Sequence, residues 1–145
     1  MEEFYTYDPN SNGSKGLVFI GKKILVYRRD NNTKVYPLYI DLPGGGPEPK
    51  ETPFETFRRE VMEEFGLVIN REDIMYVRKY ESILEKGKFL YFPVAKLPSD
   101  VEPHIKFGNE GLEYMLMSLN EFVGLQDAWP VLQSCALDYI NATIE

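Results

Sequence analysis

Glu60, Glu63 and Glu64 are the residues of this chain whose type and spacing most directly suggest chemistry. On a helix advancing about 100° per residue from Phe54, they fall at roughly 240°, 180° and 280°, so the three carboxylates share one side. Carboxylates placed this way repel by a few tenths of a kcal/mol per pair unless a cation sits among them. Hard divalent cations with oxygen ligands, Mg²⁺ above all, are the natural occupant, and Mn²⁺ can stand in. Three glutamates on an arbitrary helix are usually just a solvated acidic face, and here the context weighs against that. Upstream, Pro43-Gly44-Gly45-Gly46-Pro47 forms a loop whose glycines can adopt positive φ and admit a ligand close to the backbone. Gly44, Gly45 and Gly46 are therefore candidates for holding phosphates beside carboxylate-bound metal.

The helix that must carry these glutamates announces its own ends. Thr52 fits the N-cap, Pro53 the first helical position and Glu55 the closing residue of a capping box, while Gly66 after Phe65 fits a left-handed terminator. Phe57, Val61 and Phe65 lie within about 60° of Phe54 on the same wheel and form the stripe that faces the core. Before the helix, Leu17 to Ile20 and Lys23 to Arg28 read as strands around a Gly21-Lys22 turn, and Leu38 to Leu42 as a shorter one. The first 15 residues, with the turn formers Asp8 to Gly13, read as a loose or edge-pairing lead-in. After the helix, Met75 to Ser82 and Lys88 to Ala95 read as a hairpin and Leu112 to Leu119 as a strand. Ala128 to Ile144, opened by Asp127 with Pro130 in its first turn, reads as a closing helix. This order predicts a mixed sheet with helices packed on it, in the α/β or α+β range, over a single domain spanning 1–145.

The segment GGPEPKETPFETFRREVMEEFGL, Gly45 to Leu67, resembles the box of the Nudix hydrolases: G, five residues, E, seven residues, then R-E-U-x-E-E-x-G-U with U apolar. Gly45, Glu51, Arg59, Glu60, Val61, Glu63, Glu64, Gly66 and Leu67 meet every fixed position. The resemblance implies an α/β/α sandwich with a mixed β-sheet between helices. It also implies metal-dependent hydrolysis, by attack of water on phosphorus, of a nucleoside diphosphate linked to another moiety. Glu60, Glu63 and Glu64 then look like metal ligands, with the backbone at Gly45 near the metal, and Arg59 looks like the residue that orients them. Glu51 and Gly45 look like shapers of the loop. Metal ions would neutralise the polyphosphate and acidify a water, and a carboxylate would accept the proton.

That base varies within the family. Phe107-Gly108-Asn109-Glu110-Gly111 resembles the matching loop of MutT-type nucleoside triphosphate pyrophosphatases, which makes Glu110 a candidate base and fourth carboxylate. Glu113 and Glu60 remain alternatives. The same loop favours a nucleoside triphosphate pyrophosphohydrolase; nucleotide sugars, ADP-ribose and dinucleoside polyphosphates are the other substrates to weigh. A non-catalytic nucleotide-binding module of this fold would usually have lost box carboxylates, and an isoprenoid diphosphate isomerase would need a reactive cysteine in its active site. The single cysteine, Cys135, instead reads as a buried apolar residue of the last helix.

Among weaker features, Arg28 and Arg29 follow a strand and can reach a phosphate, and Arg28 is the substrate-binding candidate taken from the pair. His104 lies in a loop with no catalytic partner. Trp129 reads first as the core anchor of the last helix. A net charge of −7 over 145 residues argues against a nucleic acid polymer as partner, since such binding draws on clustered Lys and Arg. The acidic N-terminus and the lack of a long apolar run point to a cytoplasmic protein without membrane contact, and a homodimer is compatible with the sequence.

Overall fold

Alternation along the strands sends apolar side chains to both faces of one sheet, and helices cover each face. The structure, a computed structural model, describes residues 1–144. A short 3-10 turn at Glu2–Tyr5 leads to β1 (Ser11–Lys15), β2 (Leu17–Ile20), β3 (Lys23–Arg29), β4 (Ile40–Asp41) and β5 (Gly44–Gly45). Then come α1 (Pro53–Phe65), β6 (Ile74–Glu81), β7 (Phe89–Leu97), β8 (Gly111–Met117), α2 (Leu119–Val123) and α3 (Pro130–Ile144).

β7 is the hub. It takes β1 and β2 in parallel, with Ser14 opposite Tyr91 and Leu17 opposite Val94, and β6 antiparallel. β3 pairs with β2 only around Phe19 and Ile24, then continues beside β4, with Tyr27 opposite Asp41, while β8 follows it from Ile24 to Arg29. β1 pairs instead with β5. The sheet therefore parts between β1 and β3, and the segment Ile40 to Gly45 bridges the parting, β4 on one bank and β5 on the other. The glycines end up at the mouth of this gap.

On one face Leu17, Ile24, Val26, Phe92 and Val94 pack against Phe122 of α2 and Leu132, Ala136 and Tyr139 of α3. On the other, Val18, Leu25 and Tyr91 meet Phe57, Val61 and Phe65 of α1. All three α1 side chains are fully buried, and burying each is worth roughly 1.5–3 kcal/mol. This apolar stripe fixes the rotation of α1 about its axis. The result is the α/β/α arrangement implied by the Nudix resemblance, with a mixed sheet in the middle.

The predicted caps of α1 are present: Thr52 and Glu55 exchange both bonds of the capping box, and Gly66 closes the helix at φ 67°. Three expectations change. The N-terminal lead-in is ordered and β1 lies inside the sheet rather than at a loose edge, because Phe4 is fully buried against Phe54 and Tyr91. Strand β8 ends at Met117, two residues early, since Ser118 caps α2 through Glu121. The predicted strand at Leu38 to Leu42 shrinks to two residues, its start held in a turn with Leu38 at φ 66°. Cys135 is buried as expected, and burial pushes its thiol up to about 11. Among the described residues no helix is long and apolar enough to cross a membrane.

Candidate active site

The site is assembled around the C-terminal half of α1. Its terminal carbonyls need donors, and the chain returning after β7 supplies two. Lys106 donates its backbone N–H to Phe65 O at 2.9 Å, and Gly108 donates to Glu64 O at 2.8 Å. That docking carries Glu110 to the helix. Single carboxylate oxygens of Glu60, Glu64 and Glu110 then lie within 4.8 Å of one another.

The three differ sharply in environment. Glu110 is exposed, Glu60 half-buried, and Glu64 only 3% exposed. Glu64 accepts the Gly44 N–H at 3.0 Å. Burial nevertheless raises its carboxyl to about 8, against the opposing pull of Lys15 and the Gly44 bond, with the Glu60 and Asp41 charges pushing the same way as burial. Burial also lifts Glu60, which Arg59 partly offsets. Such a set of hard oxygen donors, crowded and short of positive charge, fits a divalent cation.

Arg59 organises the outer side. Its Nε donates to Glu51 at 2.7 Å, Nη2 to Gly46 O at 2.8 Å, and Nη1 to Glu60 at 2.9 Å and to Glu63 at 3.3 Å. Glu51 in turn accepts from Glu48 N and Thr56 Oγ1. Burial acts to raise Glu51, and the bonds from Arg59, Glu48 N and Thr56 together with the Arg59 charge outweigh it and hold that carboxyl low. One guanidinium therefore ties the glycine loop, the loop before α1 and two helix carboxylates together. Glu63 faces this arginine and is not part of the three-carboxylate cluster.

The inner side is built from residues that stand out little in the sequence. Fully buried Asp41 accepts from Lys15 Nζ at 2.8 Å, from Tyr27 Oη at 3.1 Å and from Arg29 Nη1 at 2.5 Å. Lys15 and Arg29 line a cleft of about 410 Å³ together with Gly44, Gly45, Glu60, Glu64 and Glu110. Arg28, the expected phosphate ligand, is not among the lining residues. Alternation along β3 turns it away, and it donates to Leu38 O at 2.8 Å and pairs with Asp127 at 3.0 Å. Glu113 also sits apart, exposed and 3.8 Å from Arg28 Nε. His104 ends an exposed 3-10 turn at Ser99–His104. Trp129, expected as a core anchor, is half-buried and lines the cleft. The available signal for Asp41 was a charged residue inside a β-rich run just before the triple glycine, whereas Lys15 lay in the lead-in and carried no such signal.

Gly44 and Gly45 are needed for different reasons. At Gly44 φ is 130° and an added Cβ would lie 2.0 Å from Ser14 O, so a side chain breaks the β1–β5 pairing. At Gly45 the atoms nearest an added Cβ all belong to the Glu60 carboxyl, with its Cδ 2.6 Å away. Gly45→Ala is therefore expected to keep its fold and lose metal-dependent activity by displacing Glu60, whereas Gly44→Ala loses stability. Circular-dichroism melts alongside a turnover assay separate the two, and a Gly45→Ala protein with full activity would contradict the placement of Glu60.

The comparisons with known proteins agree with this fold. The family model described as NUDIX domain covers residues 14–136, from β1 to the middle of α3. The chain belongs to the NUDIX family. A Nudix hydrolase acts on phosphorus-containing acid anhydrides. This Nudix chain resembles the crystal structure of MutT protein from Methanosarcina mazei Go1, at 24% identity and TM-score 0.73, over 92% of this chain and 94% of that one. It also resembles an Ap4A hydrolase from C. elegans, at 15% identity and TM-score 0.69, over 91% and 98%. A bifunctional NMN adenylyltransferase/ADP ribose pyrophosphatase from Francisella tularensis aligns at 19% identity and TM-score 0.62, over 78% of this chain and 35% of that one. At these identities the likeness concerns the fold. No curated protein sequence matches the Nudix chain.

Proposed function

We propose that this Nudix hydrolase is a Mg²⁺-dependent pyrophosphohydrolase of small nucleotides, converting a nucleoside triphosphate to the monophosphate and pyrophosphate. The observation that carries the reading is the convergence of Glu60, Glu64 and Glu110 on one cleft that also presents Lys15 and Arg29. Glu60 and Glu64 would hold the ion beside the Gly45 backbone, and Glu63, which accepts from Arg59 at 3.3 Å, would have to leave that bond to join them as a further ligand. When bound, the ion neutralises the phosphate oxygens and lowers the pKa of the attacking water. Lys15 and Arg29, kept in place by Asp41, meet the remaining phosphate charge. Arg59 acts as a positioning residue, setting Glu60 and the Gly46 carbonyl. Glu110, on a loop tethered to α1, is the proposed proton acceptor.

A release assay with Mg²⁺ or Mn²⁺ over nucleoside triphosphates, nucleotide sugars, ADP-ribose and dinucleoside polyphosphates tests the substrate. Turnover of none of them removes the enzymatic reading. For the base, Glu110→Gln is expected to slow turnover by at least about tenfold, within what general-base catalysis supplies. Glu113→Gln, altering a carboxylate paired with Arg28, should leave the rate within about twofold of the parent. If both variants keep full rate, the acceptor is Glu60.

A further inference from the structure

Beside the carboxylate cleft lies a second cavity of about 150 Å³, and Lys15, Gly45, Leu84 and Trp129 line both. Its walls are apolar. Trp129 and Tyr36 meet edge to face, centroids 5.6 Å apart at 84°, and Ile83, Leu84, Leu90 and Val131 complete the lining. Ile83 and Leu84, at the tip of the β6–β7 hairpin, are 73% and 63% exposed. These are large aliphatic side chains kept in water at the rim of an apolar hollow. Tyr36 reaches Trp129 from a backbone at φ 47°, with Leu38 at φ 66° two residues on. Neither residue type favours that left-handed region, and such strain gathers at ligand sites.

The Trp129 Nε1–H is buried with no hydrogen-bond partner among the described residues, and the rest of the polar lining has little left to offer a ligand's edge. Asn12 Nδ2 donates to Ser82 Oγ at 2.8 Å, that same Oγ also accepts from Leu84 N and Glu85 N, and Lys15 is engaged by Asp41. Glu81 remains as an exposed carboxylate at the border. At the junction between the two spaces, the Lys15 ammonium lies 5.5 Å from the Trp129 ring centroid.

We infer that this cavity holds the aromatic base of the substrate against Trp129 and Tyr36, selecting for a flat aromatic moiety rather than for one base. The inference rests on the nucleotide reading above and adds the residues that choose the substrate. The occupant must be apolar and flat enough to lie against two rings, yet attached to an anionic link that passes Lys15 into the carboxylate cleft. A nucleoside phosphate has that build. Stacking is tolerant of base identity because every base presents a π-face, and the one buried donor of this lining without a partner, Trp129 Nε1–H, cannot by itself single out a base, since every base edge carries an acceptor.

Trp129 is the one tryptophan of the chain, so its fluorescence reports on the cavity with no need for turnover. The experiment titrates the metal-free protein with AMP, GMP, CMP and UMP, and in parallel with ribose 5-phosphate, pyrophosphate and an alkyl phosphate. All four nucleotides are expected to quench saturably with affinities within about tenfold of one another. The non-aromatic phosphates should give no saturable quench. Tyr36→Ala, a half-buried loop residue, should weaken all four by a similar factor of about five to ten. In turnover assays the same variant should raise KM while kcat stays near the parent value.

A preference above about a hundredfold for one base would overturn the inference in favour of edge reading, with Glu81 as its source. So would an alkyl phosphate that binds as well as AMP, or an absence of nucleotide quenching. Nucleotide hydrolysis without quenching sinks this inference and leaves the proposed function standing. Quenching without hydrolysis of any nucleotide does the reverse.

Discussion

Glu64→Gln is expected to stabilise the metal-free protein at pH 8 while lowering kcat by at least about a hundredfold. The opposing signs come from one cause. Glu64 is buried, its carboxyl stands at about 8 against an ordinary 4.5, and burial is the largest contribution. Because the folded state holds this proton more tightly than the unfolded chain, the associated stability is complete below pH 4.5 and is lost as pH rises through 8. At about 1.4 kcal/mol per pKa unit, the loss amounts to a few kcal/mol. Glutamine keeps the shape and does not titrate, so the variant should hold its stability across that window. Thermal melts in EDTA at pH 5 and pH 8.5 read this directly: the two proteins are expected to melt close together at the lower pH and apart at the higher. Added Mg²⁺ should restore the wild type at pH 8.5 and leave the variant unmoved. A variant that melts below wild type at pH 8.5 in EDTA, or that gains as much from Mg²⁺, contradicts the assignment of Glu64 as a destabilising charge kept for a cation.

The second large effect is expected from Arg59→Lys. The substitution keeps the positive charge and removes the planar fork. Arg59 donates to Glu51, Glu60, Glu63 and the Gly46 carbonyl at once, and a lysine, with one ammonium, cannot span those directions. The released Glu60 and glycine loop should cost roughly a hundredfold in kcat and weaken Mg²⁺ binding, with KM for the nucleotide little changed. The melting temperature is expected to fall, since each charge-assisted bond that lysine cannot replace is worth about 1.5–3 kcal/mol net of water. Retention of more than about a third of the wild-type rate by the lysine variant would show that charge alone suffices.

The sequence exposed α1 and its glutamates clearly because both rest on local rules. Capping chemistry fixes Thr52, Pro53, Glu55 and Gly66 from neighbours alone, and helical periodicity fixes which side Phe57, Val61 and Phe65 share. Gly45 could be tied to the glutamates because the box pattern fixes their spacing. Lys15, Asp41 and Arg29 were harder to see. Their meeting depends on the sheet parting between β1 and β3, a long-range pairing that no local pattern encodes. Arg28 and Arg29 have equal propensity at a strand end, and only strand register decides that Arg29 enters the cleft while Arg28 meets Asp127. The aromatic cavity is less legible still. Tyr36 and Trp129 are ordinary core residues by type, and the turn that places them edge to face needs φ values that neither Tyr36 nor Leu38 advertises.

The docking of Lys106 and Gly108 onto the end of α1 separates what this protein can change from what it must keep. Two backbone hydrogen bonds set where Glu110 stands relative to Glu60 and Glu64, so the long excursion from Leu67 to Ile105 is not the ruler for that distance. That excursion contains the β6–β7 hairpin and, at its tip, Ile83 and Leu84 of the cavity rim. The tip can therefore lengthen, shorten or change its side chains over evolutionary time while the carboxylates stay in register. With the cavity selecting the substrate as inferred above, selectivity could drift on one part of the chain while the carboxylate cluster is held on another.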